Sequence, residues 1–270
     1  MVRIIVSGTI FIKFIIMATT TYNYKRVYVW ELPVRFFHWI TAFTTTILII
    51  TGFIIADPPA INSNIEATNS YWFGIVRAIH FIVAYFLIAN LIYRIYWAFA
   101  GNQFANWKNF IPYTKKGIKN ILYVLKVDIL LMPDKEHKLS NISIGHNYLA
   151  AFSYTIMTLF FILQVMTGLA LIGDTSNWWL PKLFHFIIPL FGGDIPVRYV
   201  HHILTWIFMA FIVIHVYLVL YHDYVEARGE ASAMISGFKF IRAERVDEKE
   251  QDIIEKAEKQ MWEGEKNSEE

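Results

Sequence analysis

The sequence contains no cysteine, and this absence limits the chemistry that the chain can perform alone. Without cysteine the protein forms no disulfide and supplies no thiolate to an iron–sulfur cluster. It also lacks the C-x-x-C-H motif that attaches a c-type haem covalently. Any haem in this chain must therefore be held non-covalently by other side chains. Chemistry that requires metal thiolates belongs to a partner chain.

Charged residues are scarce, and apolar residues are abundant. Charged side chains make up 17% of the 270 residues, hydrophobic ones make up 56%, and the mean hydropathy is +0.41. Soluble domains are usually about 45–50% apolar. The excess is concentrated in a few long runs, which indicates membrane-spanning segments and not an unusually apolar soluble core.

Four apolar blocks are long enough to cross a hydrocarbon core of about 30 Å as helices. They cover residues 36–56, 72–98, 148–172 and 199–221. Tryptophan and tyrosine residues near their ends are typical of membrane interfaces. The sequence therefore predicts an all-α integral membrane protein, a bundle of four transmembrane helices in a lipid bilayer.

Lysine and arginine are distributed unevenly among the connections between the blocks. Residues 57–71 contain neither, whereas the connection over residues 94–146 contains seven lysines. Positive charge in short connections marks the cytoplasmic side. We predict a multi-pass protein of the cell membrane with both termini in the cytoplasm.

Three regions are expected along the chain. Residues 1–24 form an N-terminal extension, residues 25–227 the four-helix domain, and residues 228–270 a charged cytoplasmic tail. The apolar run over residues 2–18 has three interpretations: a short span, a signal peptide, or a stretch before a true translation start at Met17. We favour the start at Met17, because polar residues follow it.

Four of the nine histidines lie inside the predicted spans at depths that suit a functional role: His38, His80, His201 and His215; the adjacent His202 points about 100° away from His201. An ionisable residue inside the membrane is costly and indicates a functional site. His201 and His215 are fourteen residues apart, which is about 40° short of four helical turns and roughly 21 Å along the axis. The two side chains therefore share a helix face and suit two cofactors, one near each leaflet.

The depths of the histidines pair them across helices. His80 and His201 lie towards the outer side, and His38 and His215 lie towards the cytoplasm. Neutral imidazole suits haem iron, and two imidazoles on one iron leave no position for oxygen. We predict that these four histidines are the axial ligands of two b haems that transfer electrons. The alternative is hydrogen bonding between helices, which a single histidine would indicate more often than four.

Three of these histidines follow an arginine in the pattern R-x-x-H. Residues three apart share a helix face, so each arginine lies one turn from the ligand, where it can pair with a haem propionate. Arg94 lies fourteen residues after His80 and so on the same face. The predicted propionate partners are Arg35, Arg77, Arg94 and Arg198. Snorkelling of these arginines to the interface is the alternative.

Two glycines occur in Thr-Gly dipeptides inside the spans. Gly52 lies fourteen residues after His38, on the same face, and Gly168 lies in the third span. Glycine allows a macrocycle or a neighbouring helix to approach closely. We predict that both glycines pack against haem, with helix–helix packing as the alternative.

Two segments resemble the signatures of a known family. They are Arg35-Phe-Phe-His38-Trp39 with Thr51-Gly52, and Arg198-Tyr-Val-His201-His202-Ile-Leu-Thr-Trp206 with Phe211 and His215. They resemble the first-span and last-span signatures of the b-type cytochrome subunit of membrane-bound nickel–iron hydrogenases. Tyr199 departs from the small residue usual in that family. The similarity extends over residues 25–227.

The resemblance implies a route for electrons. Hydrogen is oxidised on a nickel–iron large subunit, and an iron–sulfur small subunit passes electrons to the outer haem, the inner haem and then a membrane quinone. By the family's pattern, Gly145-His146-Asn147 resembles the quinone-site segment. His146 and Asn147 can each hydrogen-bond a quinone carbonyl, and His146 can deliver a proton. Capping of the third helix is the alternative for these two residues.

Three other functions fit parts of this pattern. Each motif alone also suits the cytochrome subunit of formate dehydrogenase or of another quinone-linked oxidoreductase. A free-standing transmembrane reductase of the cytochrome b561 kind would need substrate sites on both faces and no docking partner. A transporter or channel with buried histidines would bind no haem. We expect no nucleic-acid partner for any of these.

Overall fold

A computed structural model describes residues 24–60, 70–109, 115–124, 126, 145, 148–226, 229–242 and 259 of the chain. Four of its helices are long and apolar enough to cross a membrane. In chain order the elements are β1 (Tyr24–Tyr28), α1 (Leu32–Ala56), α2 (Trp72–Ala100), a 3₁₀ turn (Trp107–Asn109), α3 (Lys115–Val124), α4 (Tyr148–Ile172), α5 (Trp179–Leu183), α6 (Ile187–Leu190), α7 (Asp194–Glu226), α8 (Glu230–Ser236) and β2 (Phe238–Arg242). The predicted fold class, a four-helix membrane protein, is confirmed.

The four spanning helices α1, α2, α4 and α7 begin and end close to the predicted positions. The third, α4, has the predicted bounds. The fourth, α7, begins at Asp194, five residues before the predicted start at residue 199. Asp194 places a negative charge at the helix N-terminus, and Pro196 lies in the first turn, where a backbone N–H needs no helical partner. Pro33 likewise lies in the first turn of α1.

Large apolar side chains cover the outward surface of all four spanning helices. More than half of the surface of Phe43, Phe86, Leu159 and Val213 is exposed. Such a surface is unfavourable in water but not in lipid, where the helices also satisfy their own backbone hydrogen bonds. The exposed apolar faces are therefore the lipid-facing surface of a multi-pass membrane protein.

The spans form two closely packed pairs, α1 with α2 and α4 with α7. In the first pair, the buried Asn90 donates from Nδ2 to the Phe37 carbonyl at 3.1 Å and to Thr41 Oγ1 at 2.9 Å. Where the two pairs face each other, rings make the contacts, as between Phe53 and Trp206, whose centroids are 5.2 Å apart. His38 and His215 meet at this boundary between the two pairs.

One end of the bundle carries a small folded unit that the sequence did not predict. β1 pairs with β2 as an antiparallel two-stranded sheet, with Tyr24 opposite Arg242 and Tyr28 opposite Phe238. With residues 29–31, α8 and residues 101–109, the sheet forms the unit that we call the cap. Its buried residues pack with Val34 of α1 and are Val27, Val29, Trp30, Phe104, Ala105 and Ala233. This core brings segments before α1, after α2 and after α7 to one end of the bundle.

Buried polar contacts attach the cap to the helices. One carboxylate oxygen of Glu31 accepts hydrogen bonds from Trp97 Nε1 at 3.0 Å and from the Asn102 backbone N–H at 2.9 Å. Lys239 in β2 is 4% exposed and forms an ion pair with Glu230 at 2.7 Å. The charged groups of Glu31 and Lys239 therefore both have partners, and the bonds of Glu31 fix the start of α1 relative to the end of α2.

At the opposite end, α5 and α6 fold back against α4 and α7. Ala170, Ile187 and Val197 form a buried cluster there, one residue from each of α4, α6 and α7. This packing fixes the start of α7, the helix that contains two of the four candidate histidines.

Candidate haem-binding site

The pair of histidines nearer the cap, His38 on α1 and His215 on α7, faces across the boundary between the helix pairs. Their ring centroids are 6.3 Å apart, and the ring planes are inclined by 53°. Two imidazole nitrogens on opposite sides of one iron lie about 4 Å apart, because each metal–nitrogen bond is about 2 Å, and the ring centroids then lie roughly 6 Å apart. This cap-side pair therefore fits the two axial positions of one haem.

Aromatic rings surround the cap-side pair. Trp39 lies edge-on to His38 at 5.2 Å, Phe211 stacks on His215 at 5.5 Å, and Tyr154 lies edge-on to His215 at 6.0 Å. His38 Nδ1 is buried and has no hydrogen-bond partner within the described part of the chain. Buried polar atoms usually have a partner, so this nitrogen is an exception among the described side chains.

The second pair, His80 on α2 and His201 on α7, lies at the end of the bundle away from the cap, and we call it the distal pair. His80 Nδ1 lies 2.8 Å from Thr51 Oγ1, and His201 Nδ1 lies 2.9 Å from Thr167 Oγ1. Each distal histidine is therefore held by a threonine hydroxyl on the neighbouring helix of its own pair.

The two predicted glycines lie beside the distal histidines. A Cβ atom built on Gly168 would lie 3.0 Å from His201 Cε1, and one built on Gly52 would lie 3.5 Å from His80 Cε1. Each Thr-Gly dipeptide thus contacts one distal ring, with the threonine as a polar partner and the glycine leaving space for the ring. The predicted packing of these glycines against haem itself stays a prediction.

The donor set suits a porphyrin better than a bare metal ion. Among the residues that the structure describes, no group of three or more His, Cys, Asp or Glu side chains could hold a metal. A porphyrin supplies four nitrogen ligands of its own, so two histidines from separate helices complete its iron. His201 Nε2 contacts Gln164 Nε2 at 3.2 Å, so iron binding at that nitrogen requires the Gln164 amide to turn away.

Comparison with known proteins agrees with this geometry. The family model described as "Prokaryotic cytochrome b561" matches residues 29–237 of the chain. The chain belongs to this cytochrome family. Because cytochromes of this type carry haem b, the predicted haem is confirmed as a cofactor, while the number of haems stays a prediction.

Several curated relatives cover most of this cytochrome. A "Probable Ni/Fe-hydrogenase B-type cytochrome subunit" of Cupriavidus necator is 32% identical over 219 residues, which is 80% of this chain and 87% of that protein. The protein of the same description in Azotobacter vinelandii is 32% identical over 228 residues, with coverage of 82% and 91%. A "Probable Ni/Fe-hydrogenase 1 B-type cytochrome subunit" of Escherichia coli K12 is 30% identical over 237 residues, with coverage of 84% and 97%. The resemblance indicated by the first-span and last-span motifs is therefore confirmed.

Two of the predicted propionate arginines lie at the cap end of the cytochrome. Arg35 donates from Nη1 to the Ile235 carbonyl of α8, and its Nε is buried without a hydrogen-bond partner among the described residues. Arg94 donates from Nη2 to the Ala105 carbonyl at 3.4 Å, and its guanidinium lies 5.7 Å from the centre of the Phe37 ring. Both arginines contact the cap, and a propionate partner for either stays a prediction.

The other two predicted arginines lie at the distal end and are exposed. Arg77 lies over the Phe81 ring at 5.8 Å, and Arg198 lies in the first turns of α7. Neither makes an ion pair within the described residues. An exposed arginine near the end of a span is compatible with a propionate partner and equally with snorkelling.

The predicted quinone residues, His146 and Asn147, lie outside the described residues. The preceding residue, Gly145, is described, and its carbonyl accepts a hydrogen bond from Lys239 Nζ at 2.9 Å. Separately, His202 points away from its neighbour His201 and lies edge-on to Phe53 at 5.4 Å. His202 therefore packs at the boundary between the helix pairs.

The sequence interpretation missed the polar residues that contact the distal histidines. Thr51, Thr167 and Gln164 were not predicted as site residues, although both threonines belong to the Thr-Gly dipeptides that the sequence analysis noted. The repeat of that dipeptide was the available signal. Its meaning depends on which helix packs beside which histidine, and the spacing along one helix does not contain that information.

Proposed function

We propose that this cytochrome is the membrane subunit that carries electrons from a nickel–iron hydrogenase to membrane quinone. The observation that carries the proposal is the placement of two histidine pairs at opposite ends of one bundle. The descriptions of the curated relatives support the hydrogenase partner, and the chain covers 87% to 97% of the three compared above.

Two b haems are proposed, one between His38 and His215 and one between His80 and His201. A bound haem with two imidazole ligands supplies reversible one-electron transfer. The protein supplies the ligands, the separation between the two sites, and an apolar boundary that excludes water. We further propose that Arg35 and Arg94 pair with propionates of the cap-side haem, and Arg77 and Arg198 with those of the distal haem.

The direction of electron flow follows from the proposed orientation. We infer that the cap faces the cytoplasm, since the lysine-rich connection over residues 94–146 emerges at the cap end. The distal pair then faces the partner subunits. Hydrogen gives two protons and two electrons on the large subunit, and the iron–sulfur small subunit passes the electrons on. Quinone takes up the two electrons and two protons on the cap side.

The proposed quinone site contains His146 and Asn147, which follow Gly145. The hydrogen bond from Lys239 to the Gly145 carbonyl attaches this segment to the cap. Both side chains can bind a quinone carbonyl, and the imidazole can transfer a proton from the cytoplasm. The proposed haem domain is residues 25–227, between an extension (residues 1–24) and a charged tail (residues 228–270).

Purification of the native complex tests the proposal. We expect two b haems per copy of this chain and the two hydrogenase subunits in the same complex. His80→Ala and His201→Ala should each halve the haem content and abolish hydrogen-to-quinone electron transfer, while hydrogen-to-dye activity survives on the partner. His202→Ala is the matched control, because His202 is adjacent to His201 but packs against Phe53, and it should keep both haems.

Each part of the proposal has an outcome that contradicts it. Retention of both haems in His201→Ala would show that the ligand assignment is wrong. A complex that contains no nickel–iron subunits would remove the proposed partner. His146→Ala should keep both haems and lose quinone reduction, whereas loss of haem in that variant would show a structural role.

A further inference from the structure

Each threonine of the distal site donates its single hydroxyl hydrogen to a backbone carbonyl of its own helix. Thr51 Oγ1 lies 2.7 Å from the Ile47 carbonyl, and Thr167 Oγ1 lies 2.8 Å from the Leu163 carbonyl, one turn earlier in each helix. A hydroxyl donates one hydrogen bond and accepts up to two. Since a carbonyl can only accept, each hydroxyl donates to the carbonyl and can only accept from the histidine.

This arrangement determines the tautomer of both distal histidines. Nδ1 of His80 and of His201 must carry the hydrogen that its threonine accepts, at 2.8 Å and 2.9 Å. Nε2 of each ring then presents an unprotonated lone pair, which is the form that binds iron.

The cap-side pair differs in this respect. His38 Nδ1 is buried and has no hydrogen-bond partner among the residues that the structure describes. A hydrogen bond from the second ring nitrogen makes a metal-bound imidazole more basic, and a more basic ligand favours the ferric state. The distal haem therefore has two strengthened ligands, and the cap-side haem lacks this strengthening at His38.

We infer that Thr51 and Thr167 are positioning residues of the distal haem, which fix its axial histidines and lower its reduction potential relative to the cap-side haem. The inference rests on the proposed function, because it requires a haem between His80 and His201. Electrons move spontaneously towards the higher potential. The two hydroxyls thus favour transfer from the distal side to the cap side.

The test is a redox titration of the haems in the purified holo-complex, with the two waves assigned from variants that lack one haem. Thr51→Val and Thr167→Val replace the hydroxyl that accepts the histidine hydrogen bond and nearly keep the shape of the side chain. We expect each to raise the equilibrium constant for reducing the distal haem about 3- to 10-fold, an upward shift of about 30–60 mV at 59 mV per tenfold. The reduction potential of the cap-side haem should not change.

The chain provides matched controls in the same helices. Thr46 in α1 and Thr158 in α4 make the same bond to the carbonyl four residues earlier, at 2.8 Å each, and neither is hydrogen-bonded to a histidine within the described residues. Thr46→Val and Thr158→Val should leave both waves unchanged. Thr51→Ser and Thr167→Ser keep the hydroxyl, so the reduction potential of the distal haem should equal that of the unaltered protein.

The outcomes separate this inference from the proposed function. If His80→Ala keeps both haems, the distal pair is not a haem site and the proposed function fails. If that variant loses one haem but the valine variants move neither wave, or lower the distal potential, the inference alone is overturned. Loss of the distal haem in the valine variants with retention in the serine variants supports it, and loss in both overturns it.

Discussion

A single methyl group added at Gly168 should disturb the distal haem site, whereas the same change at Gly52 should not. The new Cβ would lie 3.0 Å from His201 Cε1 in the first case and 3.5 Å from His80 Cε1 in the second. Carbon atoms in favourable contact are about 3.5–4.0 Å apart. The His201 ring must therefore shift by a few tenths of an ångström, although the Thr167 hydroxyl holds its Nδ1.

The expected size of the effect follows from the cost of overpacking. Inserting a methyl group into a well-packed site costs about 1–3 kcal/mol, which corresponds to a roughly 5- to 150-fold loss of affinity for the distal haem. Gly52→Ala brings only an ordinary contact, and alanine favours the helix over glycine by about 1 kcal/mol. We therefore expect Gly52→Ala to keep the haem.

The assay is the ratio of haem to protein after haem-limited expression, together with the low-spin ferric electron paramagnetic resonance signal of each haem. Gly74→Ala is the control, since a Cβ there meets no atom within 4 Å among the described residues. Full haem content and an unchanged signal in Gly168→Ala would refute the reasoning. Greater damage from Gly52→Ala would refute it as well.

Two further predictions concern the cap. Lys239→Ala leaves the Glu230 carboxylate without its ion pair and should lower the free energy of unfolding by about 1–3 kcal/mol, measured as a lower thermal midpoint with an unchanged haem spectrum. An unchanged midpoint would contradict the role given to this pair. Glu31→Ala leaves the N–H donors of Trp97 and Asn102 unsatisfied and should cost about 1–3 kcal/mol, whereas Glu31→Gln, which keeps an acceptor oxygen, should cost less. Equal midpoints for these two Glu31 variants would count against the hydrogen bonds.

The spans and the proximity of His38 to His215 could be predicted because both depend on short-range patterns. A run of apolar residues specifies a span, and the depth of a histidine follows from its distance to the end of the run. His38 and His215 accordingly meet at 6.3 Å. The predicted start of α7 was too late, because a charged residue, Asp194, and a proline, Pro196, interrupt the apolar run. Both residues are nevertheless favourable in the first turn of a helix.

The cap and the threonine contacts could not be predicted, because they depend on how distant segments pack. β1 and β2 are five-residue strands that pair with each other although one precedes and the other follows all four spanning helices. The sequence of a single short strand does not indicate which strand will pair with it. The bond between Thr51 and His80 depends on the register between α1 and α2. That register follows from contacts such as those of Asn90 with Phe37 and Thr41, which join the two helices.

The pairing of β1 with β2 also imposes an order on biogenesis. Residues 24–28 leave the ribosome before any of the four membrane helices, yet their hydrogen-bonding partners at residues 238–242 are synthesised only after all four. Until then the first strand has an unpaired edge, and joining the strands closes the intervening chain into a loop. A nascent chain that stalls after its third membrane helix, α4, cannot form this sheet. The paired sheet therefore indicates that all four membrane helices have been synthesised.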